Sequence, residues 1–75
     1  MSTMATKFGQ VIRSSREARG LSQEGLADFA HLNRSYLGEV ERGTTVPSIE
    51  TMQKLADALG EKLSTLISQC EQHAQ

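Results

Sequence analysis

The residues in this sequence whose types and spacing could do chemistry lie between positions 33 and 42. At about 100° per residue, a helix over this stretch turns Leu37 and Val40 to one side. The opposite side carries groups able to contact the edges of DNA bases: Arg34, Ser35, Gly38 and Glu39. An arginine fork fits O6 and N7 of guanine, and a serine hydroxyl donates to a base or a phosphate. This is the chemistry of recognition and not of bond making.

The remaining members of this face have less direct predicted roles. Glu39 either accepts a hydrogen bond from a cytosine amino group or orients Arg34, and we slightly favour the second role. Gly38 weakens a helix but permits close approach to DNA. Contacts to phosphates fix register without reading sequence. The predicted phosphate contacts are Ser22, Gln23, Asn33, Tyr36, Arg42 and Thr44.

No set of side chains suited to catalysis or metal binding stands out. The serines lack a nearby histidine positioned by an acid, as nucleophilic catalysis needs. Cys70 and His73 stand three residues apart, but two ligands do not make a zinc site. We therefore expect no enzymatic activity, no metal, no cofactor and no small-molecule ligand.

Glycines divide the chain into the helices that must position these groups. Gly20, Gly43 and Gly60 each follow an apolar pattern of helical period, where a left-handed cap is expected. No stretch alternates with period two over the length of a strand. The first predicted helix covers residues 6–19, three more begin at the caps Ser22, Asn33 and Ser48, and the fifth covers residues 62–71.

Residues 22–43 form the part on which the functional prediction depends. Two short helices are joined by a tight turn at His31 and Leu32. Ala27 falls where the helices cross, and a larger side chain there would force them apart. Such a helix-turn-helix places its second helix in the major groove of DNA.

Two apolar stripes in the C-terminal half predict core and interface. The stripe of the fourth helix comprises Ile49, Met52, Leu55, Ala56 and Leu59. The stripe of the fifth helix is predicted either to close the core or to form a dimer seam, and it comprises Leu63, Leu66, Ile67 and Cys70. We expect Leu63 to face inward, which leaves some of the other three for a twofold partner.

The composition fits one folded domain over residues 1–75, with an ordered core over residues 6–71. A net charge of −1 argues against a nucleic-acid partner if taken alone, but the distribution of charge matters more than its sum. No apolar run approaches the roughly 20 residues of a membrane helix. No secretory signal is visible, and Cys70 is the single cysteine, so the cytoplasm is the expected compartment.

The run LSQEGLADFAHLNRSYLGEVERG, followed by PSIETMQKLADALG, resembles the Cro and phage-repressor-like (XRE) helix-turn-helix family. The likeness covers residues 7–67, and LNRSYLGEVERG is similar to the recognition helix of restriction–modification controller proteins. The resemblance implies a compact all-α, five-helix, lambda-repressor-like domain that binds a palindromic operator as a homodimer. It also implies an ion pair between Arg16 and Glu41.

Three features depart from the family pattern. His31 stands where glycine is usual at the turn, and histidine is among the less costly residues for a positive φ. Gly25 should weaken its helix. Thr44 and Thr45 replace basic residues, which predicts fewer phosphate contacts and a shallower salt dependence.

Two classes of function remain open from the sequence. The first is a sequence-specific regulator of transcription, of repressor or controller type, that binds double-stranded DNA as a homodimer. The alternative is an antitoxin or another protein-interaction module in which DNA binding is secondary. The negative net charge favours the alternative somewhat.

Overall fold

Five α-helices account for most of residues 3–72, the part of the chain that this computed structural model describes. They are α1 (Met4–Ala18), α2 (Gln23–Ala30), α3 (Arg34–Arg42), α4 (Ile49–Leu59) and α5 (Leu63–Gln72). Residues 3–72 contain no strand, and the predicted all-α, five-helix fold is confirmed. Helix α1 begins two residues before the predicted start, because the Thr3 hydroxyl caps it by accepting from the Thr6 N–H at 3.1 Å.

The starts of α2, α3 and α4 are fixed by side-chain caps. The side-chain oxygens of Ser22, Asn33 and Ser48 accept backbone N–H groups of the first helical turn at 2.9, 2.8 and 3.1 Å. Each cap of this kind contributes about 1 kcal/mol. The predicted caps are confirmed, and the cap at Asn33 fixes Arg34 as the first residue of α3.

All five helices contribute to one core. Helix α1 packs chiefly against α3 and α5, while α2 packs against α3 and α4. The buried apolar residues are Phe8, Val11, Ile12, Leu26, Ala27, Ala30, Leu37, Val40, Leu55, Ala56, Leu59, Leu66 and Cys70. Helix α3 is therefore supported from behind by α1 and α2, as a helix that presents its other face to a ligand must be.

The structure corrects two predictions for the C-terminal half. Ile49 is 69% exposed, because it is the first residue of α4 and lies beyond the part of that helix that the core covers. Leu66 and Cys70 are wholly buried within the single chain, since their face of α5 is part of the monomer core. They cannot form a dimer seam. Leu63 and Ile67 are half-buried at the edge of the core.

Among the described residues other than glycine, only His31 has a positive φ, at 56° with ψ 44°. The left-handed caps of α3 and α4 are glycines, which adopt this conformation without a Cβ clash. We expect His31→Gly to raise the free energy of unfolding by about 0.5–1 kcal/mol, measured by urea denaturation. His31→Ala retains the Cβ and should give no gain. Equal stability of the glycine variant and the parent would show that the exposed imidazole makes compensating contacts.

Candidate DNA-binding surface

Helix α3 presents a polar face to solvent. Leu37 and Val40 are wholly buried, whereas Arg34, Ser35 and Glu39 are exposed. The N-terminal end of α3, where Arg34 stands, is the part of a recognition helix that reaches base edges. Within residues 3–72, no carboxylate pairs with Arg34, so its guanidinium donors remain available.

The side chains of this face surround a shallow cleft of about 270 Å³. Its lining residues are Gln23, Arg34, Ser35, Gly38, Glu39 and Arg42. The structure thus brings together all four residues predicted to contact bases and two of those predicted to contact phosphates. The cleft opens to solvent beside the N-terminus of α2, whose first backbone N–H groups favour anions.

Gly38 is the residue of this face whose position differs most from the prediction. It is buried and not open to solvent. A Cβ placed on it would lie 3.1 Å from Nη1 of Arg42 and 3.8 Å from Oε1 of Gln23. The side chains of Arg42 and Gln23 therefore cover the surface through which DNA was expected to approach Gly38.

The orienting role that we favoured for Glu39 is also absent. No ion pair joins Glu39 to Arg34 in the described part of the chain. The two residues are five positions apart, whereas side chains meet along a helix at spacings of three and four. The interpretation that Glu39 accepts from a base is the one that this geometry leaves open.

A buried polar network fixes Gln23 beside this face. Arg16 of α1 donates from Nε to Glu41 Oε2 at 2.7 Å and from Nη2 to Oε1 at 3.0 Å. Its Nη1 donates to the Leu21 carbonyl at 2.9 Å. Gln23 Nε2 donates to Glu41 Oε1 at 2.9 Å. The Arg16–Glu41 pair implied by the resemblance is present, and it extends to Gln23, for which the sequence had indicated only a phosphate contact.

Burial makes this network strong. The side chains of Arg16 and Glu41 are 11% and 3% exposed, so water competes little for their hydrogen bonds. The hydrogen bond to Glu41 raises the pKa of the Arg16 guanidinium, against the opposing effect of burial. The Gln23 amide has a second N–H besides the one given to Glu41. Gln23 can therefore donate to a phosphate without leaving the network.

Four of the other residues predicted to contact phosphate also make contacts within the chain. Asn33 Oδ1 caps α3, and the Thr44 hydroxyl donates to the Glu39 carbonyl at 3.2 Å. Tyr36 is half-buried and packs against the core. Ser22 accepts from the Gly25 N–H through its oxygen, which leaves its own proton free to donate. Ser22 and Gln23 are thus better placed for phosphate than Thr44 is.

Three further observations concern the described part of the chain. Between residues 3 and 72 no helix is both long and apolar enough to cross a membrane. The same residues contain no group of three side chains placed to hold a metal ion, while His73 lies outside them. Burial raises the pKa of the Cys70 thiol.

A short pair of helices at residues 23–42, whose second member is supported from behind and polar in front, defines a helix-turn-helix protein. The family described as Helix-turn-helix (HTH_3) matches residues 12–66, and the chain belongs to that family. The resemblance to phage repressors and to restriction–modification controllers is confirmed by the relatives described next.

Three relatives show where in the family the chain lies. It is 41% identical over 61 residues to the immunity repressor of Bacillus phage phi105, covering 81% of this chain but 42% of that protein. It is 38% identical over 71 residues to the control protein C.BamHI of Bacillus amyloliquefaciens, covering 87% and 88% of the two. The crystal structure of the restriction–modification controller C.AhdI from Aeromonas hydrophila superimposes with a TM-score of 0.81 at 48% identity, covering 83% of this chain and 94% of that one. The chain thus spans less than half of the phage repressor and most of both controllers.

Proposed function

We propose that this chain is a sequence-specific, double-stranded-DNA-binding regulator of transcription with no enzymatic activity. The observation that carries the proposal is the exposed face of α3, where Arg34 projects from the leading end beside an open cleft. Relatives named as a repressor and a control protein support the same function. In this arrangement α3 enters the major groove, and Arg34 donates both arms of its guanidinium to a guanine.

The buried network serves this function by holding α2 and α3 in register. Gln23 stands at the start of α2, and its bond to Glu41 ties that helix to the end of α3. A phosphate bound by the free N–H of Gln23 would therefore fix the position of α3 in the groove. Phosphate contacts of this kind orient a protein on DNA, while the base contacts supply its specificity.

Arg34→Ala is expected to weaken binding to the preferred site by about 1–3 kcal/mol and to abolish discrimination at one base position. Binding to random duplexes should change little, which titration with fluorescent duplexes can measure. Arg13→Ala is the matched control, because Arg13 is an exposed arginine on α1 that does not line the cleft. Equal weakening on preferred and random DNA would show that Arg34 contacts only phosphate.

We also propose that the chain acts as a homodimer on a palindromic operator. With Leu66 and Cys70 in the monomer core, the surface for a second copy is a different one. Val46, in the loop before α4, and Ile49, the first residue of α4, are 82% and 69% exposed. Val46 lines an apolar groove of about 200 Å³ together with Met52 and Ile67, and Ile49 follows Val46 by three residues along the chain. We call this set of four residues the α4 surface, and covering it with a second copy removes apolar area from water.

Two copies of α3 can enter successive major grooves only if they lie about 34 Å apart, which is one turn of DNA. A twofold dimer through the α4 surface must therefore hold them at this spacing. The variant Val46→Asp/Ile49→Asp is expected to be monomeric by sedimentation and to bind a palindromic site more weakly, and its melting temperature should no longer rise with protein concentration as that of a dimer does. Phe29→Asp is the control, because Phe29 on α2 is as exposed and lies outside the α4 surface. A variant that remains dimeric would overturn the choice of surface.

The protein-interaction alternative retains one favourable observation. Phe29 is 65% exposed on α2 and belongs neither to the α3 face nor to the α4 surface. If a folded sample enriches no sequence from a random duplex pool, this alternative replaces the DNA-binding proposal.

A further inference from the structure

The guanidinium of Arg42 lies closer to the N-terminus of α3 than its place in the sequence indicates. Arg42 is the last residue of the helix, yet its Nη1 and Cζ lie 3.1 and 3.9 Å from the point where a Cβ on Gly38 would be. Four residues of helix rise about 6 Å. The guanidinium therefore lies about one helical turn closer to the N-terminus of α3 than the Arg42 backbone does, near the half of α3 that reaches base edges.

We propose that Arg42 determines specificity for a guanine, and that Gly38 is the positioning residue that makes room for it. This inference rests on the proposed DNA-binding function. Arg34 and Arg42 line the same cleft, so two guanidinium forks face one stretch of the groove. Within residues 3–72, no carboxylate pairs with Arg42. Its donors are available for O6 and N7 of a second guanine in the half-site.

The glycine is required because of the space that the guanidinium occupies. A Cβ at position 38 would come within 3.1 Å of Nη1, which is tighter than ordinary contact. Since the end of an arginine side chain is flexible, the guanidinium would shift by a few tenths of an ångström from its position over Gly38, and the helix would not be distorted. Alanine is also a better helix former than glycine. Gly38→Ala should therefore leave stability equal or higher while it displaces Arg42.

Gln23 borders the same space. Its Oε1 lies 3.8 Å from the position that a Cβ on Gly38 would take, and its Nε2 is held by Glu41 at 2.9 Å. The amide is thus fixed by the buried network and cannot easily move into the gap. Gly38 and Gln23 together border the space that the Arg42 guanidinium occupies on the cleft side of α3.

The test is selection of bound sequences from a random duplex pool by the parent and by Arg42→Ala, Arg42→Lys, Gly38→Ala and the double variant Gly38→Ala/Arg42→Ala. The parent should enrich a guanine whose preference falls about tenfold to a hundredfold in Arg42→Ala and in Arg42→Lys, which lacks the fork. Gly38→Ala should lose preference at the same position. The double variant should lose no more than either single change, because both act through one contact.

Gly25→Ala is the matched control, since it makes the same change in α2. Its Cβ would meet Ser22 Oγ at 3.3 Å and Leu21 Cδ2 at 3.9 Å, and nothing on the α3 face. It should retain the base preference of the parent. Thermal unfolding of every variant accompanies the selection, and Gly38→Ala should melt no lower than the parent.

Three results separate the outcomes. If Arg42→Ala weakens binding to all duplexes equally, Arg42 contacts only phosphate and the inference is wrong. If Gly38→Ala lowers stability and leaves the base preference intact, the glycine is structural and the positioning role is wrong. If the parent itself enriches no sequence, the proposed DNA-binding function fails and the inference fails with it.

Discussion

Replacement of Glu41 by alanine is expected to lower the free energy of unfolding by about 3–5 kcal/mol. The substitution leaves the Arg16 guanidinium buried with only the Leu21 carbonyl as an acceptor, and it removes the acceptor of Gln23. A buried charge without its partner lowers the stability of the fold by more than the intact ion pair had added to it. Urea denaturation of the variant and the parent measures the difference.

Glu39→Ala is the matched control for this substitution. Glu39 is a glutamate on the same helix, it is exposed, and its carboxylate makes no ion pair within the described residues. Its replacement should change stability by less than about 0.5 kcal/mol. If Glu41→Ala does not fold well enough to measure, Glu41→Gln keeps one acceptor and should give an intermediate loss. An effect of Glu41→Ala no larger than that of Glu39→Ala would contradict a stabilising role for the network.

The second large effect is expected at Gly9, where α1 crosses α3. A Cβ on Gly9 would lie 2.3 Å from the Val40 carbonyl oxygen and 2.7 Å from that of Glu41. These are backbone atoms of a helix and cannot turn aside as a side chain can. Gly9→Ala must therefore push α1 away from α3, and we expect a loss of about 3 kcal/mol in the free energy of unfolding.

Gly25→Ala again serves as the control, because it adds the same methyl group to a helix and meets only side-chain atoms. Helix propensity alone favours alanine by about 1 kcal/mol at both positions. The two variants should therefore move the urea midpoint in opposite directions. A stability for Gly9→Ala equal to that of the parent would show that the helices can separate at little cost.

The sequence was sufficient to predict the parts of this fold that depend on local chemistry. Ser22, Asn33 and Ser48 are residues whose side chains satisfy the free N–H groups at a helix start, so helix starts follow directly from residue type. The spacing of Leu37 and Val40 shows which face of α3 is buried and which is exposed. Both kinds of inference need only neighbours in sequence.

The fifth helix illustrates why the C-terminal half was harder to predict. Lys62, the residue before α5, has no side-chain acceptor to cap a helix, so the sequence does not mark the start of α5. Residues on one helix differ in direction by about 100° per position. The choice of which stripe residues face the core therefore depends on packing against α1, and that packing placed Leu66 and Cys70 inside.

The site was predicted as a set of residues but not as an arrangement. The Arg42 side chain folds back over Gly38, and Gln23 donates a hydrogen bond to Glu41. A helical wheel shows the direction of each residue on its helix, but it does not show either of these contacts. The sequence did contain one signal for the hydrogen bond between Gln23 and Glu41. A carboxylate that turns inward has more acceptor sites than one arginine fills, so a further donor near Glu41 was to be expected.

The central claim is that the N-terminal half of α3 is the surface that meets base edges. Titration of ¹⁵N-labelled protein with its selected duplex tests it most directly, by following the backbone amides and the arginine Nε–H groups. We expect the largest shifts in α3 and at the start of α2, with contacts from the Arg34 side chain to a guanine. Shifts concentrated on α4 and α5, with α3 unchanged, would contradict the claim.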